Sequence, residues 1–166
     1  MDNNTWQGLD LNTLELNSDN EKIAYDKNGN KIYHEDSDGS WEKWIYDEYD
    51  NEVYFEYSNS DKYWSKTEYD ERCNKIYHED SHEYWEKHQY DECDNLIHYE
   101  DSNGYWEKRA YDKTNNISYE DSDGYWSKST YDENNNVIHF EDSEGKKEAY
   151  KYSEHGIRIE TIDLNG

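Results

Sequence analysis

The residues in this chain with the most regular spacing are carboxylates. Glu35, Glu56, Glu79, Glu100, Glu120 and Glu141 each close an aromatic-rich run, while Glu42, Glu86 and Glu107 each follow a tryptophan. Paired carboxylates serve as acid and base in hydrolases, but such work needs one distinctive pair with separated pKa values. Here the pair recurs in register along the chain, which points to a charged surface and away from catalysis. These nine glutamates are therefore the candidate partner-binding residues. The histidines (His34, His78, His82, His88, His98, His139, His155) are scattered. His34 and His78 stand where Phe55, Tyr99, Tyr119 and Phe140 stand elsewhere, so they read as aromatic substitutes and not as metal ligands. The Asp-Ser-Asp-Gly and Asp-Lys-Asn-Gly-Asn stretches lack the glycine spacing of an EF-hand loop. No phosphate-binding glycine loop, zinc spacing or nucleophile motif is present. The expectation is a non-enzyme with no cofactor and no metal.

What positions these carboxylates is a repeat. Tyrosines open successive units at Tyr25, Tyr46, Tyr69, Tyr90, Tyr111 and Tyr131, a step of 20 to 23 residues, and a tryptophan precedes five of them by five residues: Trp41, Trp64, Trp85, Trp106 and Trp126. Each unit holds two β-branched and aromatic runs separated by Asp/Asn/Gly clusters, the pattern of a β-hairpin. Asp38-Gly39, Asn103-Gly104 and Asp123-Gly124 suggest two-residue type I′ turns. That turn places Glu100 opposite Glu107, and likewise Glu35 opposite Glu42, Glu79 opposite Glu86, and Glu141 opposite Glu148. In two repeats Ser65 and Ser127 replace a partner of Glu56 and Glu120. One face would carry Ile97, Tyr99, Trp106 and Ala110 as core; the other would carry the facing glutamates. Like charges directly across a strand pair are destabilising. The ladder is then either a solvated face of a very acidic chain or a working surface.

Composition limits the alternatives. The chain has 166 residues, with 17 Lys and Arg against 42 Asp and Glu, a net charge of −25, and no proline. Such charge with few aliphatic residues is normally a mark of disorder, but 19 tyrosines, 7 tryptophans and the regular repeat argue for order. Stability must come from stacking of neighbouring hairpins, since each supplies few apolar side chains. The first residues show neither a basic region nor an apolar run, so no export signal is read and a cytoplasmic location is expected. Cys73 and Cys93, in equivalent turns, are then expected to be reduced.

The fold class expected is all-β, a curled antiparallel meander of about six hairpins of 20–23 residues. Residues 1–24 read as an N-terminal cap, with a strand over 14–17, a turn at Ser18-Asp19-Asn20, and Trp6 available to cover the open end. Residues 25–145 form the six repeats, and 146–166 the C-terminal capping strands. Repeat two has a hairpin turn two residues longer, at Asn59 to Lys62. Repeat three has His82-Glu83 where Asp-Gly is expected, repeat five loses one residue in its Tyr-Asp turn, and repeat six has Lys146-Lys147 in place of Tyr-Trp.

The motif Tyr25-Asp26-Lys27-Asn28-Gly29-Asn30, followed by Glu-Asp-Ser-Asp-Gly and a further Tyr-Asp, resembles the YD repeats of RHS-type proteins. The resemblance covers residues 25 to 145. That family builds long spiralling sheets around toxins; six units are too few for such a shell, so encapsulation is not implied. The unit also resembles MORN-type meanders. The acidic Tyr-Asp pattern is similar to that of short phage-encoded proteins, which implies an anti-defence role in a host bacterial cytoplasm.

Direct nucleic-acid binding is disfavoured at this net charge. Equivalent glutamates two strands apart recur about every 9.6 Å, and with the turn aspartates they approach the charge density of DNA. The function read from this is a non-enzymatic DNA mimic that binds a basic nucleic-acid-binding protein, with a CRISPR effector or restriction nuclease as first candidate, and a homodimer is allowed. The alternatives are an aromatic-rich carbohydrate- or choline-binding module, similar to cell-wall repeats but without their Gly-Trp opening, and a plain scaffold.

Overall fold

A computed structural model describes residues 5–10, 14–113 and 115–165. The rest of the expected cap, Thr114 in the repeat-five turn and Gly166 lie outside them. The chain divides into two compact units, residues 1–85 and 86–166. The first holds a small hairpin, β1 (Thr5–Trp6) and β2 (Leu9–Asp10), and then the strands β3 (Lys22–Tyr25), β4 (Lys31–Glu35), β5 (Trp41–Tyr46), β6 (Glu52–Ser58), β7 (Trp64–Tyr69) and β8 (Lys75–Asp80). The second holds β9 (Trp85–Tyr90), β10 (Leu96–Asp101), β11 (Trp106–Asp112), β12 (Asn115–Asp121), β13 (Trp126–Tyr131), β14 (Val137–Asp142), β15 (Lys147–Tyr152) and β16 (Arg158–Asp163). Within each unit, β3 onward is an antiparallel meander ordered as in the chain. The all-β hairpin array is as expected from the repeat.

The turns differ from expectation, and the difference changes everything on the strand faces. At the Asn103-Gly104 turn the Asp101 amide donates to the Tyr105 carbonyl (3.0 Å), and the Gly104 amide donates to the Asp101 carbonyl (3.1 Å). That is a three-residue loop, a type I turn completed by a residue at positive φ, which is Gly104 at 86°. The Asp101 carboxylate fixes it by accepting from the amides of Asn103 (2.8 Å) and Tyr105 (3.2 Å). The Tyr-Asp turns are built alike: Asp91 accepts from the amides of Cys93 (2.8 Å) and Asn95 (3.0 Å), and Asp94 takes the positive φ of 62°. A side-chain oxygen that bonds its own chain two and four residues on competes well with a two-residue turn. His82-Glu83, expected to be altered, adopts the same loop with Glu83 at φ 65°. The turn from Asn59 is no longer than the others: the two extra residues of repeat two lengthen β6, and Ser58 pairs with Trp64. The only described residues consistent with the type I′ pattern are Gln7 (φ 48°) and Gly8 (φ 80°), between β1 and β2. No strand forms over 14–17, where one was expected; Leu14 packs instead against the core.

One extra loop residue slips the register by one, and a one-residue slip turns one strand's side chains to the opposite face. Glu100 lies across from Trp106, and Tyr99 across from Glu107. Glu35 likewise faces Trp41, and Glu141 faces Lys147. The expected facing glutamate pairs 35/42, 100/107 and 141/148 are not formed; Glu79 and Glu86 fall in different units.

A second regularity was not anticipated. At every Tyr-Asp hairpin the ladder skips one residue of the following strand. The skipped residue is Ile32, Val53, Ile76, Ile97, Ile117, Ile138 or Ile159. A bulge at the same β-branched position in each repeat adds local twist in the same place each time.

Burial is shallow. The buried apolar residues are Ala24, Ile32, Tyr33 and Trp44, all in the first unit, and Trp6, Leu9, Leu14, Trp41 and Tyr46 pack against the first three of them. The repeat tryptophans expected in a core are half-buried, and Trp126 is exposed.

Candidate binding surface

In each unit one strand face collects the tryptophans, and across the Tyr-Asp hairpins each glutamate of that face meets a lysine. Across β3–β4, β5–β6 and β7–β8, Lys22 faces Glu35, Lys43 faces Glu56, and Lys66 faces Glu79. In the second unit Lys87 faces Glu100, Lys108 faces Glu120 and Lys128 faces Glu141. The contacts are 3.0 Å for Lys22–Glu35, 2.9 Å for Lys66–Glu79, 3.1 Å for Lys87–Glu100 and 3.5 Å for Lys147–Glu141. Lys66 donating to Glu79 holds that carboxyl below its ordinary value, and Lys87 does so for Glu100. In the first unit Tyr33 and Tyr77 add hydroxyl donors to Glu35 (2.6 Å) and Glu79 (2.7 Å). Several of these lysines are also held over their own strand's indole, Lys43 over Trp41 (4.2 Å), Lys108 over Trp106 (5.0 Å) and Lys128 over Trp126 (5.5 Å), whereas Lys66 lies over Tyr77 (5.2 Å). The signal for these lysines was in the sequence: a Lys stands two residues after every repeat Trp, in Trp-Glu-Lys or Trp-Ser-Lys. Its partner is set by the loop and the bulge of the Tyr-Asp hairpin.

The other face gathers tyrosines with the remaining glutamates. Glu107, buried, accepts from the hydroxyls of Tyr105 (3.3 Å) and Tyr119 (3.2 Å) and pairs with Arg109 at 2.8 Å. Glu86 accepts from Tyr99 (3.3 Å), and Glu42 lies 3.5 Å from His34. Burial, with nearby Glu107 and Asp121, pushes the Tyr119 hydroxyl far above its usual range. The nine candidate glutamates are thus divided between two opposite faces, not gathered on one. His78 has the ring and hydroxyl neighbours expected of an aromatic substitute, Tyr84 at 6.4 Å between ring centroids and Thr67 at 3.0 Å, whereas His34 lies between the carboxylates of Glu21 (3.8 Å) and Glu42 (3.5 Å).

Carboxylates without a cationic partner lie elsewhere, along the turns. Glu48, Asp61, Glu71 and Glu83 in the first unit are exposed, as are Asp123, Glu133 and Glu144 in the second, and among the described residues none pairs with Lys or Arg. The turn anchors join them. The side chain of Asn51, and its amide, hold Asp47 below the ordinary carboxylate range, and Asn136 does the same for Asp132. Asp36 and Asp38 share a hydrogen bond that lowers Asp38 to about 2 and raises Asp36. Turns of adjacent repeats are stitched sideways, through Ser122 to the Trp106 carbonyl (2.9 Å) and Asn30 to Asp50 (2.6 Å). Both cysteines are free and exposed. Among the described residues no cluster of His, Cys, Asp and Glu could hold a metal ion, and no helix is long and apolar enough to cross a membrane.

No family model matches the sequence, and no curated protein is similar to it. Among solved structures, the chain is similar to part of TcdB2-TccC3-Cdc42, with a TM-score of 0.47 and 14% identity over 87% of this chain. It is also similar to part of the Photorhabdus luminescens Tc holotoxin pore, with a TM-score of 0.41 and 13% identity over 86% of this chain. It spans only 9% and 11% of those chains.

Proposed function

We propose that the protein is a non-enzymatic binding scaffold that imitates nucleic acid with its turn edges, and that its partner is a basic nucleic-acid-binding protein. One observation carries this reading: the strand-face ladder glutamates are matched by lysines, so the excess charge is concentrated on the turns. Turns on one edge recur every second strand, about 9.6 Å apart. With one to three carboxylates each, such an edge approaches the one charge per about 3.4 Å of a DNA strand. The two edges of a six-residue strand lie about 20 Å apart. The ladder glutamates contribute less to this surface than their regularity suggests, since Coulomb attraction from a lysine already offsets each one. Host defence nucleases and CRISPR effectors of a bacterial cytoplasm are the first partners to test.

The test compares two variants that each remove four charges. Glu48→Gln, Asp61→Asn, Glu71→Gln and Glu83→Gln together strip the edges; Glu56→Gln, Glu79→Gln, Glu100→Gln and Glu120→Gln strip the ladder. Binding to a basic DNA-binding protein captured from bacterial lysate should fall at least tenfold with the first set and much less with the second. Double-stranded DNA should displace the unmodified protein, and affinity should fall with salt. A partner that holds DNA and this protein together, or equal affinity of the edge variant and the unmodified chain, contradicts the proposal.

A further inference from the structure

In the first unit the tryptophan face carries a feature found at no other repeat described here. Trp41, Trp106 and Trp126 each lie across from a glutamate: Glu35, Glu100 and Glu120. Trp64 lies across from Ser58, because repeat two adds two residues to β6, ahead of the turn. Ser58 also faces Trp41 on its other side. Two indoles therefore flank one small side chain, two strand spacings or about 9.6 Å apart, and a groove opens between them. Its next row is Tyr33, Lys43, Glu56, Lys66 and Glu79, with Tyr54 beyond. The amino-terminal hairpin packs at the Tyr54 side: Trp6 lies 5.5 Å from Tyr54, and Lys43 sits 5.3 Å over the Trp6 ring. Lys43 covers one face of Trp41, whereas the Trp64 ring has no aromatic or cationic partner among the described residues.

The charges name the ligand. In a chain of net charge −25, this groove is balanced, two lysines against two glutamates, each pair in contact (3.9 Å for Lys43–Glu56 and 2.9 Å for Lys66–Glu79). A quaternary ammonium would meet two ammonium groups, and an anion would meet two carboxylates. A neutral polyol meets neither penalty: its hydroxyls donate to Glu56 and Glu79 and accept from Lys43 and Lys66 without breaking the pairs. The C–H face of a pyranose ring lies flat on an indole, and an extended chain reaches both. We propose that this groove binds a neutral β-linked oligosaccharide, with Trp64 as the stacking platform and Trp41 as the opposing wall. The site is independent of the turn edges.

Isothermal titration of the whole protein with cellohexaose and with hexa-N-acetylchitohexaose tests this. At least one probe should bind saturably, with little dependence on salt, and phosphocholine should not bind. Trp64→Ala should weaken binding at least tenfold. Ser58→Phe, which fills the groove floor and keeps both indoles, should do the same, and circular dichroism checks that each variant is folded. Trp126→Ala, on the same kind of face in the second unit, should leave binding unchanged. The proposal is overturned if neither oligosaccharide binds, if Ser58→Phe binds like the unmodified protein, or if Trp126→Ala weakens binding as much as Trp64→Ala.

Discussion

The two units are made from one repeat, yet they are held together differently. In the first, the β1–β2 hairpin and Leu14 lie over the β3–β5 surface, and Ile32 and Tyr33 are buried to 7% and 3% exposure. In the second, the equivalent bulge residues Ile138 and Ile159 remain 38% and 65% exposed, and the buried residues are Glu107 and Asp142. A single twisted sheet layer cannot bury both of its faces. Where a cap supplies a second layer the repeat acquires an apolar core; where none does, order rests on turn hydrogen bonds, ion pairs and tyrosine–carboxylate contacts. The lesson is that the repeat specifies topology, while local covering decides how stability is divided.

The largest expected effect tests that division. Tyr33→Ala in the first unit should cost about 3–5 kcal/mol in chemical denaturation, in the range for buried aromatics, whereas Trp126→Ala in the second should cost under about 1 kcal/mol. Similar losses at both positions would erase the distinction between the units.

Next in size are the turns, which the units share. Asp70→Ala removes the acceptor for the amides of Arg72 and Asn74 (2.9 Å each) and should cost about 1 kcal/mol, as loss of a capping side chain does elsewhere. Acid should act on the same groups. Because Asp47 and Asp132 are held below their ordinary 3.8, their stabilisation is present above that pH and is lost as pH falls through their lowered values. Thermal melts should therefore fall steeply below about pH 4, even though protonation also relieves the chain's self-repulsion. A melting temperature that rises continuously down to about pH 2 would show that repulsion outweighs the turn contacts.

The smallest effect concerns strain. Lys62 and Glu83 stand at positive φ (66° and 65°) where other loops have glycine. Lys62→Gly should raise stability by about 0.5 kcal/mol, the relief of a left-handed backbone less the added entropy of glycine. A loss of stability there would place that loop outside the shared geometry.

Much of this architecture could be read from the chain alone. The tyrosine and tryptophan spacing marks the strands, and Trp6 covers an early part of the array. Asp-Gly and Asn-Gly favour type I′ turns, but each follows an Asp whose carboxylate accepts from the amide two residues on. The informative residue was Asp101, not Asn103-Gly104. That single residue of loop length decides whether Glu100 meets Glu107 or Trp106, so an error too small to alter the topology redistributed every charge on the faces. The Ile and Val bulge was equally visible as a constant residue type, but a bulge has no composition of its own to distinguish it from an ordinary strand position. The groove at Ser58 comes from the longer repeat two, whose extra residues extend β6 and leave the turn at its usual length.

The register across the tryptophan-bearing hairpins is the claim on which the separation of the glutamates onto two faces depends, and proton NMR tests it directly. In an antiparallel ladder, hydrogen-bonded and non-hydrogen-bonded pairs alternate, and only the latter bring their Cα atoms to about 4.5 Å. Asp101 and Tyr105 are a hydrogen-bonded pair (3.0 Å), so a strong Hα–Hα Overhauser contact is expected between Glu100 and Trp106. A strong contact between Asp101 and Trp106 in its place would restore the two-residue turn, set Glu100 against Glu107 and contradict the account.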